Sequence, residues 1–144
     1  MADPTPSERP RAGLPLAWAL LVLLAHLAVL SSGQISALTA SQVSALSTVQ
    51  LDALAPAQVA AISTRGVVGL NPLQIASLSG DQVGAMTAGQ ISALNSSQIG
   101  AFTTAQIQTM SSAQITGLSA GQLGALTGTQ IAAIDVADLD DLST

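Results

Sequence analysis

From residue 34 to the C-terminus the large apolar residues fall in pairs: Ile35 and Leu38, Val43 and Leu46, Leu51 and Leu54, Val59 and Ile62, and so on to Leu139 and Leu142. Within a pair the spacing is three; from pair to pair it is eight, kept through fourteen units without an insertion or deletion. A β-strand puts alternate residues on one face, so a spacing of three would split each pair across the sheet. An α-helix puts i and i+3 on one stripe. The pairs therefore predict helices. One long helix fits poorly: at about 100° per residue, each octad turns the stripe by about 80°, and the apolar face would spiral around the rod.

The polar positions say where the helices stop. Position one of the octad is Gln at 34, 42, 50, 58, 74, 82, 90, 98, 106, 114, 122 and 130, with Gly66 and Asp138 as the two departures. Position six is Ser, Thr, Asn or Asp in every unit except that of Ala55. Those residues are the preferred helix N-caps, because a side-chain oxygen accepts an orphan amide hydrogen. Three residues on stands Gln, which completes a capping box. Pro56 and Pro72 follow directly after caps, at the first helical position, where proline is tolerated. The prediction is an all-α, solenoid-like stack of two-turn helices, one per octad. Such helices are unstable alone and must bury their stripes against other units, and the small residues at position four let them approach. A β-solenoid of stacked Gln-rich strands is the alternative fold. A partly disordered array is the third, since each unit has few large side chains to offset chain entropy.

Glu would complete a capping box better than Gln at an exposed helix start, where the dipole favours an anion. The chain uses Gln twelve times at position one and Glu never. This implies a partly buried ladder from Gln34 to Gln130, in which neutral amides cap their own helix and also bond the next unit.

The N-terminal part has a different texture. Residues 1–13 are polar and Pro-rich, with Arg9 and Arg11, and Leu14 to Leu30 form an apolar run in which only His26 is polar. Residues 14–33 read as either a signal peptide with its cleavage site near Ser31–Gly33 or a retained membrane anchor. Both send residues 34–144, the repeat domain, out of the cytoplasm, and the two arginines keep the N-terminus inside. Trp18 reads as an interfacial anchor and His26 as a neutral imidazole.

Composition narrows the chemistry. The chain has 8% charged residues, a net charge of −5 and no cysteine. After residue 33 its one basic residue is Arg65, so a phosphate backbone has nothing to bind and nucleic acid is not an expected partner. The single His lies in the apolar run, so no Ser–His pair or zinc motif forms in the repeat domain. The glycines of "GVVGLNP" are scattered and make no phosphate loop. No catalytic residue, cofactor or enzyme activity is expected. The unit of Gly66, next to Arg65, reads as a bend or degenerate repeat, with a binding notch as the alternative. Asp135, Asp138, Asp140 and Asp141 could form a weak calcium site, but read first as the polar end-cap (135–144) that a solenoid needs.

The stretches "LTASQVSALST", "MTAGQISALNSSQIGAFTTAQIQTM" and "LSAGQLGALTGTQIAAI" resemble the tandem L-T-x-x-Q-[IV]-x-A-L octapeptide arrays of large bacterial exported, adhesin-like proteins. The resemblance spans residues 30 to 134 and implies a repeat architecture. "LAPAQVAAIS" is also similar to the first helix of the repeat in TAL effectors, without their base-reading loop, second helix or period. The expected role is a non-enzymatic, exported protein, structural, adhesive or self-associating at the cell surface or envelope, with itself or another protein as partner. The alternative is a scaffold held in the membrane by residues 14–30. Ice or mineral binding comes third, because position seven (Ala40, Pro56, Gly80, Ser96, Val136) is too varied for lattice matching.

Overall fold

The computed structural model describes residues 27–141. Residues 1–26 and 142–144, and with them most of the apolar run, Arg9, Arg11, Trp18, His26 and the proposed membrane anchor, lie outside the described residues. So do the side chains of Asp140 and Asp141.

One short helix forms in each octad, and among the described residues there is no strand. In chain order the helices are α1 Ser32–Ser36, α2 Ala40–Ser44, α3 Thr48–Asp52, α4 Pro56–Ala61, α5 Thr64–Val67, α6 Pro72–Ser77 and α7 Gly80–Ala85; then α8 Ala88–Ala93, α9 Ser96–Ile99, α10 Thr104–Ile107, α11 Ser112–Thr116, α12 Ala120–Leu123, α13 Gly128–Ile131 and α14 Val136–Asp141. Each has four to six residues, nearer one turn than the two expected. The helices end early because position five already turns extended: Ile62, Leu78, Met86 and Leu94 have φ from −60 to −71° and ψ from 129 to 145°. The following cap is extended too, as at Thr87 with φ −75° and ψ 153°. Two extended residues in succession swing the chain into the next helix, with the amide of position five still bonded to the carbonyl of position two, as in Leu94 to Ile91 at 3.2 Å.

The predicted caps form in most units, although at α11 the Ser111 hydroxyl donates to Gln114 Oε1 at 3.2 Å and accepts no helix amide. In α8 the Thr87 hydroxyl accepts from the Gln90 amide at 3.1 Å, and the Thr87 amide donates to Gln90 Oε1 at 2.7 Å. Ala55 has no side-chain acceptor, so α4 keeps only the reciprocal half, Ala55 N–H to Gln58 Oε1 at 2.9 Å, with Pro56 bringing no donor of its own at the first position.

Consecutive octads do not simply lie side by side. Each helix packs on the third one along, from α1 on α4 through to α11 on α14. The stack is a coil with more than three helices per turn, and positions two and five point inward. Position two is the deepest: Ile35, Val43, Val67, Ile75, Val83 and Ile91 are fully buried. Phe102 and Met86 join the same interior. The interior is filled: an apolar space between Ile99, Phe102 and Leu118 has a volume of only about 10 Å³, room for no more than a water. The coil already includes Leu27 and Leu30, the end of the apolar run, which pack against this core. Among the described residues no helix is long and apolar enough to cross a membrane.

Candidate functional site

The most regular chemistry in the molecule is the Gln ladder. Gln58, Gln74, Gln82, Gln90, Gln98, Gln106, Gln114, Gln122 and Gln130 are all buried, between 1 and 8% exposed. Each Oε1 takes its own helix's cap amide, and each Nε2 points the other way. Gln90 Nε2 donates to the carbonyls of Val59 at 3.0 Å and Ile62 at 2.6 Å, 31 and 28 residues earlier. Gln106 does the same to Ile75 at 2.8 Å and Leu78 at 2.7 Å. Gln58 reaches back to Leu27 and Leu30, each at 3.0 Å. The amide partner is therefore not the next unit, as the sequence pattern suggested, but the helix four units back. Because each helix packs on the third and bonds to the fourth, the coil holds between three and four octads per turn.

This geometry accounts for the exclusion of Glu more directly than carboxylate repulsion does. The far end of the side chain faces two carbonyl oxygens at the end of an earlier helix: the position-two oxygen already accepts the position-five amide, and the position-five oxygen takes its hydrogen from the ladder amide. An amide supplies two hydrogens; an ionised carboxylate supplies none. Gln34 and Gln42 are exposed and Gln50 half-buried, and the residues at the same offsets before them fall outside the described residues.

The Gly66 departure is structural. Its unit keeps a capped helix, with Ser63 Oγ accepting from Gly66 N–H at 3.1 Å, and keeps Val67 and Leu70 in the core. A Cβ at Gly66 would stand 2.9 Å from the carbonyl oxygen of Leu38, the oxygen that a ladder Gln would reach with three more atoms. A Cβ at Gly69 would stand 2.1 Å from the Ala40 oxygen. Where the amide is missing, the two turns close directly backbone to backbone. Arg65 is exposed on the rim of an open groove of about 630 Å³ between residues 36–40 and 63–65.

At the other end, Asp138 is buried at 8% exposure and Asp135 is exposed, its Oδ1 accepting from the Ala137 amide at 3.0 Å. The four aspartates singled out in the sequence are thus not equivalent. Among the described residues no group of three or more His, Cys, Asp or Glu side chains is placed to hold a metal.

Compared with known proteins, the chain matches the family model described as ALTTAQ repeat at residues 59–96, 79–112 and 92–128. The three overlapping matches establish a tandem repeat. Nothing among curated proteins matches the chain, and neither does any solved structure. The ALTTAQ-like match covers α5 to α12 in full, yet the same cap, Gln and apolar pair continue before it in α1 to α3 and after it in α13.

Proposed function

We propose that this chain is a non-enzymatic, exported repeat protein of a bacterial cell, with a structural, adhesive or self-associating role at the surface or envelope. The observation that carries this reading is where the polar groups go. The repeated Gln side chains and cap hydroxyls are consumed in holding turn to turn, and the space inside the coil is filled with apolar side chains. What the coil offers to its surroundings is a long, weakly charged face of Ser, Thr, Ala and Gly. Large apolar side chains break that face only singly, at Val29, Val49, Val68, Leu73 and Val136, as on ordinary surfaces. A regular rod with such a face suits lateral contact with further copies or with another surface better than it suits capture of a small molecule.

A second reading, a scaffold held at the membrane by residues 14–30, draws on one further observation. Leu27 and Leu30 belong to the last part of the apolar run and to the first turn of the coil, so an anchor would run straight into the array. Fractionation after an alkaline wash separates the two: a membrane pellet supports the scaffold, and a soluble or surface-shed protein supports the exported rod. Sedimentation at rising concentration tests self-association, and a monomer throughout would remove that part of the proposal.

A further inference from the structure

The octad frame does not start at Gln34. Counted back by one unit, Leu27 takes position two, Leu30 position five and Ser31 the cap position, with His26 in the place of Gln. The structure gives Leu27–Ser31 the bonds of a complete unit. The Leu30 amide donates to the Leu27 carbonyl at 3.2 Å, the position-five to position-two bond that closes the later helices. The Leu27 and Leu30 side chains pack against the core. Gln58 Nε2 donates to the carbonyls of Leu27 at 3.0 Å, Ala28 at 3.3 Å and Leu30 at 3.0 Å. Gln74 makes the same three bonds to Val43, Ser44 and Leu46, at 3.1, 3.3 and 2.6 Å. Ser31 then caps α1: its amide donates to Gln34 Oε1 at 2.9 Å, and its hydroxyl accepts from the Gln34 amide at 3.3 Å.

A cut near Ser31–Gly33 strips all of this away. It removes the first cap, two leucines packed on the core, and every acceptor of a Gln58 amide that is only 8% exposed. A membrane span through Leu30 conflicts with the coil in the same way. Leu27 and Leu30 cannot lie in hydrocarbon while their side chains and carbonyls are held against the core and Gln58. A discarded leader needs an apolar stretch and small residues at its end, and neither requires an eight-residue register.

We infer that the boundary between the export segment and the repeat domain lies just before Leu27, and that Leu27–Gly33 stay in the working protein as the first turn of the coil. This boundary rests on the reading of the apolar run as an export segment, and it shortens that run to residues 14–26. As a helix those residues reach about 20 Å, against about 30 Å of hydrocarbon. They are too few for a span and fall within the about 7–15 residues of a signal-peptide core. The folded coil therefore favours a released rod over an anchored scaffold, with any cleavage on the N-terminal side of Leu27.

The test expresses the full chain in a bacterial host and takes the intact mass of the folded product from whichever compartment holds it. The mass is expected to include Leu27–Gly33. Leu30→Ala is expected to lower the melting midpoint of that product by about 3–8 °C, whereas a product cut after Gly33 is the same molecule with or without the change. The chain has no cysteine, so Val29→Cys, at a site 77% exposed on the coil, probes an uncleaved product. With lipid vesicles present, a membrane-impermeant maleimide is expected to label it as fast as Ser97→Cys, another exposed site. A product that begins at Ser32, Gly33 or Gln34 would overturn the boundary. So would a Val29→Cys that vesicles shield while Ser97→Cys reacts, or a Leu30→Ala product that melts unchanged. The compartment is read separately. A cytoplasmic chain that melts and labels as expected contradicts export and keeps the first turn, while an exported chain that begins at Gln34 keeps export and contradicts the boundary.

Discussion

At the scale of the residue, one side chain type does two jobs that no other does together. Gln98 accepts the Asn95 amide at 2.8 Å through Oε1 and donates to the Leu70 carbonyl at 2.6 Å through Nε2. Gln98→Glu keeps the first bond and sets an acceptor against an acceptor at the second. It is expected to cost about 2–4 kcal/mol in a urea melt, from the lost bonds and the stranded buried carbonyls. Glycines divide by the same local accounting. Gly69→Ala drives a methyl into the Ala40 backbone and is expected to cost about 1–3 kcal/mol, whereas Gly128, with nothing within 4 Å of the added carbon, is expected to gain up to about 1 kcal/mol as Ala. Gly66→Gln, the substitution the repeat pattern would recommend, is expected to destabilise, because the backbone has already closed to the distance that the side chain would span. That last point was not legible in the sequence. The missing Gln could be seen; that a neighbouring backbone had moved into its place could not, because carbonyl partners carry no residue identity.

At the scale of the element, most of the structure was legible. The i, i+3 apolar pair, a hydroxyl or amide cap and a Gln three residues later specify a short helix wherever they occur, and they recur in fixed register. The caps carry that information locally, so they respond to local changes. Thr87→Ala removes the acceptor for the Gln90 amide and is expected to cost about 1 kcal/mol. Ala55→Ser supplies the acceptor that α4 lacks and is expected to gain about 0.5–1 kcal/mol in the same assay. Helix length was less legible. The apolar pair shows which face is buried but not that position five leaves the helical region, and that early exit makes room for a second extended residue and a sharp change of direction.

At the scale of the whole molecule, stability runs between turns of one coil. Removing one complete octad, residues 87–94, brings Gln98 opposite the carbonyls of the unit that ends at Ile62, so every rung still finds donors and acceptors. That deletion is expected to keep the helical spectrum and cooperative melting, while deleting only residues 87–90 puts Gln98, Gln106 and Gln114 out of register with their partners before the cut and is expected to abolish cooperative melting. The number of octads per turn was the largest thing hidden from the sequence. A perfect eight-residue frame fits any coil with the same unit, and the distance to the bonding partner is set by how helices of this length pack. The four aspartates show the limit from the other side: the octad frame already puts Asp138 at the Gln position and Asp135 at the cap position, but not that Asp138 is buried while Asp135 is exposed.

The account rests on side-chain amides that bridge turns, and nitrogen-resolved nuclear Overhauser spectra of those amides test this most directly. The Nε2 protons of Gln90 are predicted to show cross-peaks to the backbone and side chains of residues 59–63, a turn earlier, and slow exchange with solvent. Cross-peaks confined to the adjoining units around Gln82 and Gln98, with rapid exchange, would contradict the coil and the ladder together.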